Sequence, residues 1–244
     1  MEWHKRFVQQ AAWTGEIRRY LFKRAGLPVA RRVLEVGCGT GAILAGLETS
    51  AAVHGLDRDA IRLVEARRHA PQANLTCADA LRLPYAPGIF DITFCHFLLL
   101  WVGEPLQALR EMKRVTRLGG SILALAEPDY YARVDKPDEL APLGRWQAES
   151  LRRQGAEPGL GNRLPELFRQ AGIRPVETGS LYADGAQPPG PAERDLEWAV
   201  LADDLAGLVS PEQIQRFKCL DEAAWQRGVR VLFVPTYWML GTCA

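Results

Sequence analysis

Residues 33–41 read Val-Leu-Glu-Val-Gly-Cys-Gly-Thr-Gly, an apolar run that leads directly into three alternating glycines. Glycine lets the backbone turn sharply and lets a ligand approach without interference from a Cβ atom. A second apolar run, at 53–56, ends at Asp57, and the spacing from Gly37 suits a carboxylate that accepts hydrogen bonds from ribose hydroxyls. The stretch therefore predicts a site for an adenosine-containing cofactor at the end of a β-strand.

Apolar runs alternate with amphipathic segments along most of the chain. Strands are predicted at residues 32–36, 53–56, 74–77, 89–95, 121–127, 173–182 and 229–240. Helices are predicted at residues 40–48, 59–69, 105–116, 140–154, 163–171, 191–208 and 211–227. This alternation favours parallel strands joined by crossover helices. We therefore predict an α/β protein with a doubly wound, seven-stranded, mostly parallel sheet of the Rossmann-like kind, whose last strand pairs antiparallel to the sixth.

The positions of the strands divide the chain into four segments. Residues 1–30 are predicted to be a helical arm that closes over the cofactor as a lid, and residues 31–128 to be the cofactor-binding core. Residues 129–162 are predicted to be a helical insertion, and residues 163–244 to complete the same sheet around an inserted helix at about 191–208. A loop is expected at 184–191, which is rich in Gly and Pro.

Composition limits the expected setting of the protein. The 244 residues are 48% hydrophobic and 24% charged, which are ordinary values for a globular protein. The apolar stretch at 94–102 is too short to span a membrane, and the N-terminus lacks an apolar signal core, so a cytoplasmic location is expected. The five cysteines include no CxxC pair, so neither a disulfide framework nor a metal site is predicted.

Charge is distributed unevenly although the net charge is only +1. The first 32 residues hold eight Lys or Arg against two Glu, which leaves 22 basic and 27 acidic residues in the rest. A basic arm is able to touch nucleic acid, but it is also typical of a solvated helix face. The acidic balance of the remainder argues against a nucleic-acid substrate at the predicted crevice.

Further short motifs follow the glycine stretch in a fixed order. They are residues 77–81, Cys-Ala-Asp-Ala-Leu, residues 83–85, Leu-Pro-Tyr, and residues 90–92, Phe-Asp-Ile. Together with Glu35 and Asp57, this order resembles the class I S-adenosylmethionine-dependent methyltransferases, and within them the small-molecule, type 11-like group. The motifs cover about residues 30–128, and the pattern of 173–240 agrees with them. They are specific for the cofactor and not for the acceptor.

The resemblance implies roles for individual residues. Glu35 would support the amino end of the methionine part of S-adenosylmethionine, Asp57 the ribose and Asp79 the adenine, while the helix at 40–48 would offer N–H groups to a carboxylate. The predicted cofactor-binding residues are Trp13, Thr14, Glu35, Gly37, Cys38, Gly39, Gly41, Asp57, Arg58, Asp79, Ala80, Leu81 and His96. Two of these also have a structural interpretation, Asp57 as a helix cap and Asp79 as an Asx turn.

The implied reaction is transfer of a methyl group to a small-molecule acceptor, which leaves S-adenosylhomocysteine. Because the sulfonium is already a strong electrophile, the enzyme has mainly to align donor and nucleophile and to exclude water. An ionisable acceptor also needs a base. His96, Glu127 and Asp129 are the candidates, because they follow strands at the edge where an open α/β sheet holds its ligand. Each also has a structural interpretation: His96 as a packed histidine, and Glu127 and Asp129 as polar loop residues.

Three alternatives stay open on the sequence. Gly37-x-Gly39-x-x-Ala42 also fits a dinucleotide fingerprint, so an NAD(P)-dependent oxidoreductase is the first. A non-catalytic module that binds or senses S-adenosylmethionine is the second, because binding residues say nothing about turnover. A protein acceptor is the third. The oligomeric state is not predicted.

Overall fold

The computed structural model describes residues 3–181 and 189–244. Tyr182, the predicted end of the sixth strand, lies outside the described residues, as does most of the loop predicted at 184–191. Within the described ranges, no helix is both long enough and apolar enough to cross a lipid bilayer.

Nine strands are present in the described residues. They are β1 (Arg32–Val36), β2 (Ala52–Asp57), β3 (Asn74–Cys77), β4 (Phe90–Cys95), β5 (Thr116–Pro128), β6 (Val134–Lys136), β7 (Ile173–Leu181), β8 (Val231–Phe233) and β9 (Thr236–Cys243). Seven of them form one sheet in the order β3-β2-β1-β4-β5-β9-β7. The first five pair in parallel, and β9 is antiparallel to both β5 and β7. The predicted doubly wound, seven-stranded sheet is thus confirmed.

Eight α-helices accompany these strands in the same ranges. They are α1 (Trp3–Trp13), α2 (Gly15–Arg24), α3 (Ala60–His69), α4 (Pro105–Val115), α5 (Ala141–Arg153), α6 (Leu164–Gln170), α7 (Pro191–Leu205) and α8 (Pro211–Gln226). Side chains alternate between the two faces of a strand, and both faces of this sheet are covered. On β1, Leu34 belongs to a buried cluster with Met112 of α4, whereas Val33 belongs to a second cluster with Phe22 of α2.

The prediction of a helix at 40–48 is wrong. The structure has only turns there and a short 3-10 helix, Leu44–Gly46. Gly37, Gly39 and Gly41 all adopt positive φ, which an α-helix excludes, and the segment left before β2 is short and contains another glycine, Gly46. The cofactor site therefore has no α-helix N-terminus directly after β1.

The strand predicted at 229–240 is two strands with different partners. β8 pairs with β6 in a small separate sheet, and β9 enters the main sheet between β5 and β7. Pro235, which lies between them, has no N–H to donate and suits a break between strands. The predicted antiparallel pairing of the last strand with the sixth is confirmed by the register of β7 and β9.

A third apolar cluster joins the helical insertion to the C-terminal helices. Leu143 of α5 packs in it with Trp198 of α7 and Ala224 of α8. The α8 helix begins with the predicted cap, because Ser210 Oγ accepts a hydrogen bond from the N–H of Gln213. The helices α5, α7 and α8 thus pack together beside the sheet, and this group of three helices is called the cap below.

Buried ion pairs fasten the small β6–β8 sheet to this cap. Asp135 on β6 accepts hydrogen bonds from Arg133 at 2.7 Å and from Arg230 at 2.7 Å. Arg230 also donates to Asp221 of α8, at 2.5 Å. Each of these side chains is at most 7% exposed, so each charge depends on its partner for solvation.

Candidate functional site

The turn after β1 is shaped by glycine. Gly37 and Gly39 have φ of 76° and 51°, and the N–H groups of Gly37 and Cys38 both donate to the carbonyl of Leu56. A Cβ atom on Gly37 would lie 2.5 Å from Cδ1 of Leu98, so a larger residue would have to displace that side chain and would be strained at this positive φ. The turn therefore brings bare backbone to the carboxyl edge of the sheet, as the sequence predicted.

Asp57 ends β2 and stands beside this turn. Its Oδ2 accepts a hydrogen bond from the N–H of Gly39 at 2.8 Å, and its Oδ1 accepts one from the N–H of Asp59 at 2.9 Å. The cap of α3 is Asp59 and not Asp57, because Asp59 Oδ1 accepts from the N–H groups of Ile61 and Arg62. Each carboxylate oxygen of Asp57 keeps acceptor capacity for a ligand hydroxyl.

Glu35 is the most unusual polar group near the turn. It is 2% exposed, and its Oε2 is buried without a hydrogen-bond partner in the described structure. Burial, reinforced by the charge of Asp57, raises the pKa of Glu35 to about 8, while Arg18 opposes the rise. A buried acceptor with no partner is costly, and a ligand that donates a hydrogen bond or carries a positive charge would remove that cost. Glu35 thus fits the amino group of a methionine moiety.

A cleft of about 480 Å³ opens over these residues. Its lining includes ten of the predicted cofactor-binding residues: Glu35, Gly37, Cys38, Gly39, Asp57, Arg58, Asp79, Ala80, Leu81 and His96. Asp79 also makes the predicted Asx turn, since its Oδ1 accepts from the N–H of Leu81 at 2.9 Å. The unpartnered Glu35 oxygen, the bare glycine backbone and the acceptor oxygens of Asp57 together fit an adenosyl amino acid in this cleft.

Three predicted residues do not line the cleft. Gly41 packs instead against α3, where an added Cβ would lie 3.3 Å from Ala66. Trp13 is 48% exposed and lies under the guanidinium of Arg6, and Thr14 is fully buried behind His96. The prediction that Trp13 and Thr14 contact the cofactor does not agree with these positions. The sequence indicates a helical arm near the cofactor, but it does not fix which side chains of the arm face the cleft.

His96 is the one predicted base that lines the cleft. Its Nε2 shares a hydrogen bond of 3.0 Å with Thr14 Oγ1, which itself accepts from Arg18 at 2.9 Å. Burial, and to a lesser extent the charge of Arg18, lowers the pKa of His96 to about 3. The next residue, Phe97, has φ of 51°, an uncommon conformation for a residue other than glycine that often accompanies functional sites. His96 is held neutral in a rigid turn.

Glu127 and Asp129 do not line the cleft, and the structure gives both carboxylates other partners. Glu127 is fully buried and accepts hydrogen bonds from the N–H groups of Leu98, Leu99 and Leu100 at 3.0, 3.0 and 3.2 Å. Asp129 accepts from the N–H of Tyr131 at 3.1 Å, from that of Ala132 and from the amide of Asn162. Each carboxylate thus closes a turn away from the cleft lining, so the structure lends no support to the two as bases, and that role stays a prediction.

The N-terminal helix forms a wall that the sequence identified only in outline. Trp3, Phe7 and Gln10 of α1 line the cleft, and Phe7 lies close to Gly39. His4 Nδ1 and Thr40 Oγ1 are joined by a hydrogen bond of 2.8 Å. The spacing of Trp3 and Phe7 indicates a shared aromatic face, since residues four apart lie on one side of a helix.

Apart from Tyr130, whose ring the sequence already offers as a surface for a substrate or a cation, the opposite wall was missed by sequence reasoning. It consists of Tyr130, Gln147, Leu151, Gln154, Val200 and Asp204, which come from the end of β5, from α5 and its C-cap, and from α7. No motif marks these positions, because they meet only when the insertion packs against α7. In residues 3–181 and 189–244, no group of three or more His, Cys, Asp or Glu is arranged to hold a metal ion.

Known proteins resemble the chain in both sequence and fold. The family model of the methyltransferase domain matches residues 34–124. The malonyl-[acyl-carrier protein] O-methyltransferase of Halorhodospira halophila is 30% identical over 81% of this chain and 68% of its own length. The ubiquinone/menaquinone biosynthesis C-methyltransferase UbiE of Bdellovibrio bacteriovorus is 35% identical over 44% of this chain, and the match spans 49% of that relative.

Among solved structures, a putative methyltransferase from Bacillus halodurans has the same fold. It superposes with a TM-score of 0.60 at 16% identity, over 92% of this chain and 97% of that one. The similarity therefore extends beyond the glycine turn to the cap and to the antiparallel end of the sheet.

Proposed function

Because this chain belongs to the class I S-adenosylmethionine-dependent methyltransferases, we propose that it transfers a methyl group to a small-molecule acceptor held in the cleft beside α5 and α7. Membership confirms the predicted reaction class and cofactor. The observation that carries the acceptor class is the cleft itself, whose 480 Å³ lie between α1, the strand ends and the cap. A space of this size suits a cofactor with a small partner. The names of the two relatives, which mention malonyl-[acyl-carrier protein] and ubiquinone/menaquinone biosynthesis, support an acceptor other than nucleic acid.

Each part of the cofactor has a proposed partner. Glu35 and the backbone of the glycine turn would hold the methionine part, Asp57 the ribose, and Asp79 with Ala80 and Leu81 the adenine. The support for this division is that these residues line one cleft, and that Glu35 and Asp57 keep acceptor capacity there.

The residues around the reacting centre would act mainly by position. When bound, S-adenosylmethionine supplies an electrophilic methyl group. Phe7, Leu98 and Trp101 line the same cleft and would exclude water from it. His96, with its pKa near 3, is a poor proton acceptor at neutral pH, so we propose that it orients a ligand group as a neutral imidazole and does not serve as a strong base.

Calorimetric titration of the purified protein with S-adenosylmethionine, S-adenosylhomocysteine and NADH tests the assignment of the cleft. We expect both sulfur compounds to bind and NADH to give no heat. Binding of NADH alone would overturn the assignment and restore the oxidoreductase alternative.

A methyl-transfer assay with a panel of phenols, quinones, amines, thiols and carboxylic acids tests the reaction. We expect S-adenosylhomocysteine to accumulate with at least one class. A protein that binds S-adenosylhomocysteine and yet turns over with none of these classes would contradict the proposal and favour a sensor.

A further inference from the structure

One carboxylate on the wall opposite the cofactor residues has no cation to pair with. Asp204 lies in the last turn of α7 and lines the cleft. Its Oδ2 accepts a hydrogen bond from the amide of Gln147 at 3.0 Å, and its Oδ1 accepts one from the amide of Gln154 at 3.3 Å. Within the described ranges it forms no ion pair with Lys or Arg. These two side-chain partners are neutral, and each oxygen keeps further acceptor capacity.

The position of Asp204 is unfavourable for the protein alone. The C-terminal end of a helix carries partial negative charge, and the last turn of α7 has no basic residue to offset the carboxylates of Asp203 and Asp204. Burial, reinforced by the charge of Asp203, raises the pKa of Asp204, while the hydrogen bonds from Gln147 and Gln154 and the more distant charge of Arg6 oppose the rise. A positively charged ligand would reverse both effects, because it would supply the missing countercharge in a partly dehydrated site.

Arg6, the basic residue of α1 that lines the cleft, is already paired. Its Nη1 donates to Glu197 of α7 and to Gln9. The remaining carboxylate, Asp204, leaves this wall with a net negative charge. An anionic acceptor would meet Asp204 without a free countercharge, whereas a cationic one would be attracted.

An aromatic ring lines the same cleft as the carboxylate. Burial raises the pKa of the Tyr130 phenol to about 12, and the charge of Asp204 is near enough to add to the rise, so the ring stays neutral over the physiological range. Cations are attracted to the face of such a ring. Carboxylate, amides and an aromatic ring form a set that recognises an organic ammonium group.

We propose that Asp204 and Tyr130 bind the protonated amine of the acceptor, which makes this protein a methyltransferase for small amines. The proposal rests on the proposed function, since it assigns the acceptor side of the same cleft. It concerns the group that is recognised and leaves the methylated atom on that molecule undetermined.

Three probes of matched shape test it: benzylamine, benzyl alcohol and benzoate. Their dissociation constants are measured by ligand-observed NMR on the full chain, with and without saturating S-adenosylhomocysteine. We expect benzylamine to bind about tenfold more tightly than benzyl alcohol, as a partly buried charge pair would give, and benzoate to bind most weakly. Asp204→Asn should bring benzylamine to the level of benzyl alcohol. Asp203→Asn makes the same chemical change at the exposed neighbouring residue, and it should leave the preference for benzylamine over benzyl alcohol intact.

The outcomes separate this inference from the proposed function. Equal binding of the three probes by the unmodified protein, or a preference for benzoate, would overturn the amine site without use of any variant. An amine preference that persists in Asp204→Asn would also overturn it. Failure to bind S-adenosylhomocysteine would count against the cofactor assignment alone, because the probes are compared in its absence as well.

Discussion

Asp57 joins ligand recognition to the shape of the glycine turn. The carboxylate of Asp57 accepts a hydrogen bond from the N–H of Gly39, and we propose that it also accepts one from the ribose. Asp57→Ala therefore removes a charged acceptor from the glycine turn and from the ligand. We expect the dissociation constant for S-adenosylhomocysteine to rise by about tenfold to 150-fold, which corresponds to roughly 1.5–3 kcal/mol. Calorimetry measures it. Asp59→Ala, which removes the cap of α3 two residues away, should lower stability without weakening binding; equal losses in the two variants would contradict the ribose role.

The proposed contact of Glu35 with the amino group of the cofactor predicts that binding depends on pH. The Glu35 pKa of about 8 keeps the side chain protonated at pH 7 in the free protein, whereas an ammonium ligand favours the carboxylate. Binding should therefore release a proton, and affinity for S-adenosylhomocysteine should rise from pH 6 to about 8, by at most about tenfold per pH unit. Calorimetry in buffers of different ionisation enthalpy counts the protons. Glu35→Gln should bind without release; a wild-type protein that releases none would refute the assignment.

At the scale of elements, Glu127 holds the turn that follows β4. Its carboxylate is the acceptor for the N–H groups of residues 98–100, so Glu127→Ala leaves buried donors without partners. We expect the free energy of unfolding to fall by about 2–4 kcal/mol, measured by urea denaturation. Glu104→Gln, at the exposed start of α4, is the matched control and should change little. Normal stability with lost activity would instead support the prediction of Glu127 as a base.

Arg230 joins the β6–β8 sheet to α8. Replacing it with Met leaves Asp135 and Asp221 buried with fewer charged partners, so we expect a loss of about 3–5 kcal/mol in the free energy of unfolding. Urea denaturation with probes of both the sheet and the cap would measure it. Arg227→Met, at the exposed C-cap of α8, should lie within about 0.5 kcal/mol of the unmodified protein. Similar stability for both variants would show that the buried pairs contribute little.

The elements that the sequence predicted well are those with a repeated pattern. β1 is a mostly apolar run, β4 alternates apolar residues with Asp91 and Thr93, and α8 begins with a capping box, so their signals are local. The three-residue strands β6 and β8 are too short for any period, and they pair, Lys136 opposite Val231, only because the folding of α5 to α8 brings two distant parts of the chain together. The same limit applies to the site: the glycine turn and Asp57 are contiguous with strands, but Asp204 reaches the cleft only through packing of α7 on α5.

For the whole molecule, α1 is the element that connects the cofactor side of the cleft to the cap. Phe7 lies against Gly39, and Arg6 pairs with Glu197 on α7. Phe7→Ala should therefore weaken binding of S-adenosylhomocysteine, chiefly by faster dissociation, and reduce the hydrogen-exchange protection that residues 3–13 gain on binding. Stopped-flow displacement and exchange mass spectrometry measure the two. Val8→Ala, on the exposed side of α1, is the control; identical dissociation rates would exclude α1 as a lid.

Because β9 lies between β5 and β7, the last strands of the sheet are not able to pair in the order in which they are synthesised. A ribosome makes β7 before β9, yet among the described strands of the finished sheet β9 is the one neighbour of β7. While residues 173–181 emerge, they have no strand to join, and the flank of β5 stays open until residues 236–243 follow. An unpaired edge next to a formed parallel sheet invites contact with other nascent chains. The growing polypeptide is thus most vulnerable to aggregation late in translation, after its cofactor half is already able to fold.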